Sequence, residues 1–154
     1  MSFTIGTSID RIPYMMQHAW REIEHTADTG LEVEGGTMEE LFRNAADGMI
    51  ALMLEPGGVD PRVRRGIAAE GPDAESLLVG WLEEILYLFD AENVAPRRTA
   101  DLRIEKDRVA GEIEGERFDT ARHNTVYGIK AVTWHELKIK EENGIFRVRI
   151  IFDV

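Results

Sequence analysis

The chain has 154 residues, with 29 acidic side chains against 18 lysines and arginines, which gives a formal net charge of −11. Its length fits a single domain, and the absence of cysteine excludes disulfides, thiolate metal sites and thiol nucleophiles. The acidic balance disfavours direct binding to nucleic acid; it fits a basic protein partner, a bound cation or simple solubility.

Residues 1–18 have no regular periodicity, and we expect them to form a loose leader before a domain over residues 19–154. They lack the charged start and continuous apolar stretch of a signal peptide. No apolar run in the chain reaches the roughly 18–20 residues that span a bilayer. We therefore expect a cytoplasmic protein with no membrane segment.

Two short strands are predicted around a polar break at residues 28–30. The pattern alternates weakly up to His25 and clearly at Leu31 and Val33. Polar groups at such a break can reach a ligand while the flanking strands stay packed. An imidazole, a hydroxyl and a carboxylate beside Gly30 are compatible with metal binding, with catalysis or with a simple turn.

Two amphipathic helices follow in the chain. Thr37 is the predicted N-cap of the first helix, with Glu40 reaching back to the Thr37 amide, and apolar spacing continues to Met53. Asp73 is the predicted N-cap of the second helix, whose apolar face ends at Phe89.

The remaining segments have strand character. A strand or strand pair is predicted over residues 59–70, a hairpin over 102–113 and a strand over 129–139, with His135 as a core histidine on the alternating face. Asn143-Gly144 predicts a hairpin turn before a closing strand. These elements predict a single α+β domain, an antiparallel-rich mixed sheet with two amphipathic helices on one face.

Candidate chemistry is sparse. The sequence has neither a P-loop, nor a dinucleotide fingerprint, nor a serine nucleophile elbow, and its four histidines are too dispersed for a zinc signature. His123 lies in a polar stretch and is expected to be loop-borne and accessible, whereas Lys130 fits a strand surface. The closing strand places the carboxylates of Asp153 and Val154 together; either a hard cation relieves their repulsion or both are solvated.

Several motifs in a fixed order resemble the archease family. The first is His25-Thr26-Ala27-Asp28-Thr29-Gly30, and the resemblance extends from about residue 19 to the end of the chain. The other matching segments are residues 39–42, 45–49, 77–78, 81–86, 111–112, 123, 129–135 and 152–154. Trp134 stands where the family commonly has tyrosine.

The resemblance implies an archease-like fold and an accessory role rather than an enzyme. Archeases assist RtcB, the ligase of tRNA splicing and RNA repair, by promoting guanylylation of its active-site histidine and multiple turnover. The family also implies a divalent-cation site, which by motif position falls on Asp28, Asp153 and Val154. Calcium is the expected ion, with magnesium or manganese as alternatives.

His25, His123, Lys130 and His135 are expected to support that site or to face the partner. Two other functions remain open at the level of sequence. One is a chaperone-like protein that stabilises nucleic-acid-modifying enzymes. The other is a free-standing metal-dependent hydrolase that uses His25 and His123.

Overall fold

A computed structural model describes residues 19–25, 28–55 and 57–154, without the side chains of Glu24 and His25. The predicted leader, residues 1–18, lies outside the described residues. The two helices are α1 (Met38–Met53) and α2 (Ala74–Glu92). The strands are β1 (Trp20–His25), β2 (Asp28–Gly35), β3 (Val63–Glu70), β4 (Val94–Glu105), β5 (Arg108–Arg117), β6 (Ala131–Val132), β7 (Lys140–Glu142) and β8 (Ile145–Asp153).

The strands form two sheets. The five-stranded sheet has the order β1-β2-β8-β6, with β7 also paired to β8, and the three-stranded sheet has the order β3-β5-β4. Every pairing among the described strands is antiparallel. The predicted α+β class is confirmed, with the strands divided between two sheets. The central strand of the larger sheet is β8, which carries partners on both edges.

Both helices begin where capping residues satisfy their first amides. Thr37 Oγ1 accepts a hydrogen bond from the Glu40 N–H at 3.0 Å, and Asp73 Oδ1 accepts one from the Ser76 N–H at 2.8 Å. The predicted N-caps are therefore confirmed. The Glu40 carboxylate, however, accepts from the Gly36 N–H at 2.8 Å, one residue earlier than the predicted Thr37 amide.

The core lies between the sheets and the helices. Helix α1 contacts β2 of the larger sheet and β4 of the smaller one, while α2 packs mainly on β3 and β4. Trp81, Phe42 and Phe152 are the largest fully buried side chains. No helix among the described residues is both long and apolar enough to cross a membrane.

The break between the first two strands lies earlier than predicted. Strand β1 ends at His25 and β2 begins at Asp28, so residues 28–30 belong to a strand. Gly30 does not form the turn. A side chain there would place its Cβ 2.6 Å from the Ile150 carbonyl oxygen, so glycine permits the close approach of β8.

The strand predicted over residues 129–139 is largely wrong. Only Ala131–Val132 pairs with β8, and the chain then turns, with the Leu137 N–H donating to the Trp134 carbonyl. Glu136 adopts a φ of 58°, which a strand cannot contain. The hairpin predicted at Asn143-Gly144 is confirmed, because both residues adopt positive φ angles of 56° and 78°.

Candidate functional site

One end of the larger sheet gathers four of the residues singled out by sequence. Thr29 of β2 pairs with Phe152 of β8, and continuing this register by one residue brings Asp28 alongside Asp153. On the other edge of β8, Asp153 pairs with Ala131, and the Lys130 N–H donates to the Asp153 carbonyl at 2.7 Å. Asp28, Lys130, Asp153 and Val154 therefore share this acidic sheet end.

The alternation of strand residues decides which way the two carboxylates face. Thr29, Leu31, Ile150 and Phe152 are buried on the helix side of the sheet. Asp28 and Asp153, each one residue out of phase, project from the opposite face. Asp153 is exposed and Asp28 is half-buried. Two like charges thus lie side by side at the margin of the sheet.

The donors at this end are oxygens, which suit a hard divalent cation. Among the described residues, no group of three or more histidine, aspartate or glutamate side chains is placed to hold a metal ion. The remaining ligands of a cation between Asp28 and Asp153 would have to come from main-chain oxygens or water. Val154 is half-buried and directly follows Asp153, so its main-chain oxygen fits that role.

Glu22 is a further carboxylate near this end that was not predicted from sequence; it pairs with Leu31, so it lies on the helix side of the sheet, opposite Asp28 and Asp153. Its Oε2 accepts hydrogen bonds from Thr29 Oγ1 at 3.1 Å and from the Tyr127 hydroxyl at 2.7 Å. Tyr127 lies 105 residues further along the chain, so no local spacing could have indicated this contact. The side chain of His25, and residues 26 and 27, lie outside the described residues.

His123 is loop-borne, as predicted, but it is not accessible. Its side chain is fully buried, and its ring stacks on that of Phe118 with centroids 5.7 Å apart. The Asp119 N–H donates to Nδ1 at 2.9 Å, so the proton of the neutral ring lies on Nε2, which contacts Glu116 Oε2 at 3.0 Å. Both ring nitrogens are therefore occupied within the protein.

Glu116 is the second carboxylate that sequence reasoning missed. Arg122 donates to its Oε1 at 2.7 Å, and the Asp60 N–H donates to its Oε2 at 2.7 Å. Arg122, with further hydrogen bonds from Asp60 and His123, lowers the pKa of Glu116 from 4.5 to about 2. This network fixes the chain where it leaves β5.

The connecting segment, residues 119–130, joins that network to the acidic sheet end. Its backbone is hydrogen-bonded to the end of α1: the Val126 and Tyr127 N–H groups donate to the carbonyls of Met53 and Leu52, both at 2.9 Å. The Asn124 main-chain carbonyl accepts a hydrogen bond from the Glu55 N–H at 2.9 Å. The segment therefore has a defined path from Glu116 to Lys130.

His135 is not a core residue. Its side chain is 59% exposed, with Nε2 3.9 Å from the Glu136 carboxylate. The prediction failed because the chain turns at Trp134–Leu137 instead of continuing the alternation. The exposed side chain of Lys130 agrees with the predicted strand-surface position, although the residue directly precedes β6.

Comparison with known proteins gives consistent similarities. Residues 20–154 match the archease protein family. The chain is 35% identical to protein archease of Pyrobaculum neutrophilum over 139 residues, covering 88% of this chain and 95% of that one. It is 32% identical to protein archease of Pyrococcus furiosus over 142 residues, covering 88% and 98%.

Two solved structures are similar in fold. Protein 1598 of Methanobacterium thermoautotrophicum superposes with a TM-score of 0.77 at 29% identity, covering 89% of this chain and 99% of that one. A Thermotoga maritima protein described as an archease, possible chaperone, has a TM-score of 0.61 at 22% identity, covering 86% and 94%.

Proposed function

The chain belongs to the archease family, and from that premise we propose that it is an accessory protein of the RNA-splicing ligase RtcB. In this proposal it promotes guanylylation of the ligase's active-site histidine and supports multiple turnover. It acts through a divalent cation, calcium or alternatively magnesium or manganese, at the acidic sheet end.

The observation that carries the proposal is the juxtaposition of Asp28 and Asp153 by the β2–β8 register. Two carboxylates in this position repel each other, and a cation between them relieves the repulsion. Asp28, Asp153 and a main-chain oxygen of Val154 would hold it. A bound cation supplies charge stabilisation and positioning for phosphoryl-type transfer.

The protein's own residues set the geometry of this end. Asp153 is fixed on both sides, since β8 pairs with β2 on one edge and with β6 on the other. The Lys130 N–H donates to the Asp153 carbonyl, which anchors the end of β8, and the side-chain oxygens of Asp153 would hold the cation. The carboxylates face outward, where the active site of a larger partner can reach them.

His123 favours an accessory role over the alternative of a free-standing hydrolase. A general base or an exchangeable metal ligand needs an accessible ring nitrogen. Both nitrogens of His123 are engaged, by the Asp119 N–H and by Glu116, and the ring is buried. This histidine therefore supports the connecting segment rather than chemistry.

Guanylylation of the ligase in the presence of Asp28→Asn or Asp153→Asn protein tests the proposal. Both substitutions keep the side-chain volume and remove one ligand charge. We expect at least about tenfold loss of stimulation and of Ca²⁺ affinity measured by calorimetry. Glu83→Gln, at an exposed position on α2, is the matched control and should behave as wild type.

Two results would count against the proposal. Full stimulation by a folded Asp28→Asn, Asp153→Asn double variant would favour the chaperone-like alternative, in which the carboxylates are dispensable. Nucleotide or RNA turnover by the isolated wild-type protein would favour the hydrolase alternative.

A further inference from the structure

A few large apolar side chains are exposed on the surface. Among the described residues they are Tyr87, Val126, Tyr127 and Trp134, with exposed fractions of 55%, 49%, 36% and 57%. Three of these four, Val126, Tyr127 and Trp134, lie within residues 126–134. We call these three residues the apolar patch. Aromatic side chains are enriched at protein interfaces, so this segment is a candidate contact surface.

The apolar patch flanks the acidic sheet end. On the helix side of the sheet, Tyr127 is hydrogen-bonded to Glu22, which also accepts a hydrogen bond from Thr29, the residue after Asp28. Further along the chain, Trp134 follows β6 by two residues, and β6 pairs with Asp153 and Phe152. Residues 126–134 therefore pass the end of the sheet that carries Asp28 and Asp153, and within this segment the Lys130 N–H donates to the Asp153 carbonyl.

The backbone beneath the patch is held in place. The Val126 and Tyr127 N–H groups are bonded to the end of α1, and the Thr133 N–H donates to the Ile151 carbonyl at 2.9 Å. Between them, Ile129 and Val132 are buried, with exposed fractions of 6% and 5%. A surface with an ordered backbone loses less entropy on binding than a mobile loop does.

The chemistry of this surface selects its partner. Aromatic side chains could stack on RNA bases, but Asp28, Asp153 and a net charge of −11 repel a phosphate backbone. A protein surface with an apolar pocket bordered by lysine or arginine complements both features. We infer that the apolar patch anchors the protein to such a partner, with Trp134 as the central contact.

This inference rests on the proposed function, in which the partner is the ligase, and it assigns binding and cation chemistry to different residues. The patch provides affinity and orientation, while the carboxylates act at the partner's active site. Changes in the patch should therefore alter the dissociation constant for the ligase without altering the affinity for Ca²⁺.

Titration of the ligase with Trp134→Ala, Trp134→Phe and Tyr87→Ala proteins tests the inference. We expect Trp134→Ala to weaken binding about 10- to 30-fold, as for a central aromatic anchor. Trp134→Phe should recover most of the affinity because it keeps an aromatic ring. Tyr87→Ala removes an equally exposed aromatic from α2 and should bind as wild type. Ca²⁺ affinity should be unchanged in all three.

The outcomes separate the two proposals. If wild-type protein does not bind the ligase, the proposed function is wrong. If it binds and Trp134→Ala binds equally well, only the apolar patch is overturned. The proposed role of the apolar patch in ligase binding is also wrong if Trp134→Ala instead abolishes binding to a single-stranded RNA probe. The same holds if it breaks a homodimer detected by sedimentation.

Discussion

The carboxylate of Glu116 remains ionised in a buried setting because donors converge on both of its oxygens. Its folded-state pKa of about 2 lies below the ordinary value of 4.5. Ionised Glu116 therefore stabilises the fold above about pH 4.5, and this contribution is lost as the pH falls through 2.

We expect Glu116→Gln to unfold at a lower temperature than wild type at pH 7, because the amide replaces charge-assisted hydrogen bonds with weaker ones. The difference should shrink as the pH falls from 4.5 toward 2. Circular-dichroism melts across this range measure it. Glu112→Gln, at a side chain 44% exposed, is the control and should show a smaller change.

The pKa of Asp47 is shifted in the opposite direction to that of Glu116. Burial raises the pKa of its carboxyl, and its Oδ1 has no hydrogen-bond partner among the described residues. The folded state thus holds its proton more tightly than the unfolded state, and ionisation of Asp47 destabilises the fold as the pH rises.

Asp47→Asn should therefore raise the unfolding temperature at pH 7 and lose that advantage at acidic pH, where the wild-type carboxyl is also neutral. Melts of both proteins at pH 4 and pH 7 provide the comparison. If wild type instead unfolds at a higher temperature than Asp47→Asn, and the difference grows as the pH rises, the inferred destabilisation by ionised Asp47 is wrong.

At the scale of elements, the β4–β5 hairpin depends on glycine. Strand β4 changes register between Pro96 and Arg98 and again between Thr99 and Asp101. Gly111 of β5 lies beside the second irregularity, where an added Cβ would overlap the Asp101 carbonyl and approach the Trp81 ring to 2.9 Å. Only a residue without a side chain fits there.

Gly111→Ala should reduce the free energy of unfolding by about 1–3 kcal/mol or more, because overpacking usually costs this much. Gly66→Ala in β3 is the matched control, because its added Cβ would lie 4.0 Å from the nearest atom. That change should shift stability by less than about 1 kcal/mol. Urea denaturation of both variants distinguishes them.

Secondary structure could be predicted from the sequence where neighbouring residues alone determine the backbone conformation. The caps at Thr37 and Asp73 and the turn at Asn143-Gly144 depend on neighbouring residues alone, and all three are confirmed. The segment after Val132 keeps an alternating pattern, yet it turns at Glu136. Its path is set by Ile151 and by the Glu75 carboxylate, which accepts from the Ile139 N–H at 3.0 Å. Such distant contacts leave no local signal.

At the scale of the whole molecule, the candidate site combines predictable and unpredictable parts. Asp28 stood out in a polar motif and Asp153 at the end of the closing strand, but only the family resemblance linked the two as ligands of one cation. Their proximity depends on the β2–β8 register, which joins segments more than a hundred residues apart. Glu22 and Glu116 were missed because their partners are brought to them only by the fold.

The net charge of −11 makes a further prediction for the intact protein. If the ligase presents a basic surface, long-range attraction accelerates association, and salt screens it. The association rate constant should fall about tenfold or more between 50 and 500 mM KCl, with a smaller change in dissociation. Stopped-flow measurements check this, and a salt-independent association rate would exclude electrostatic steering.

The central position of β8 has a consequence for synthesis on the ribosome. This strand pairs with β2 on one edge and with β6 and β7 on the other, yet it is translated after every other described element. The smaller sheet, whose strands lie within residues 63–117, can assemble while the chain is still emerging. The larger sheet must wait for its middle strand. A nascent chain therefore acquires Asp153, and with it the acidic sheet end, in the same step that closes the fold.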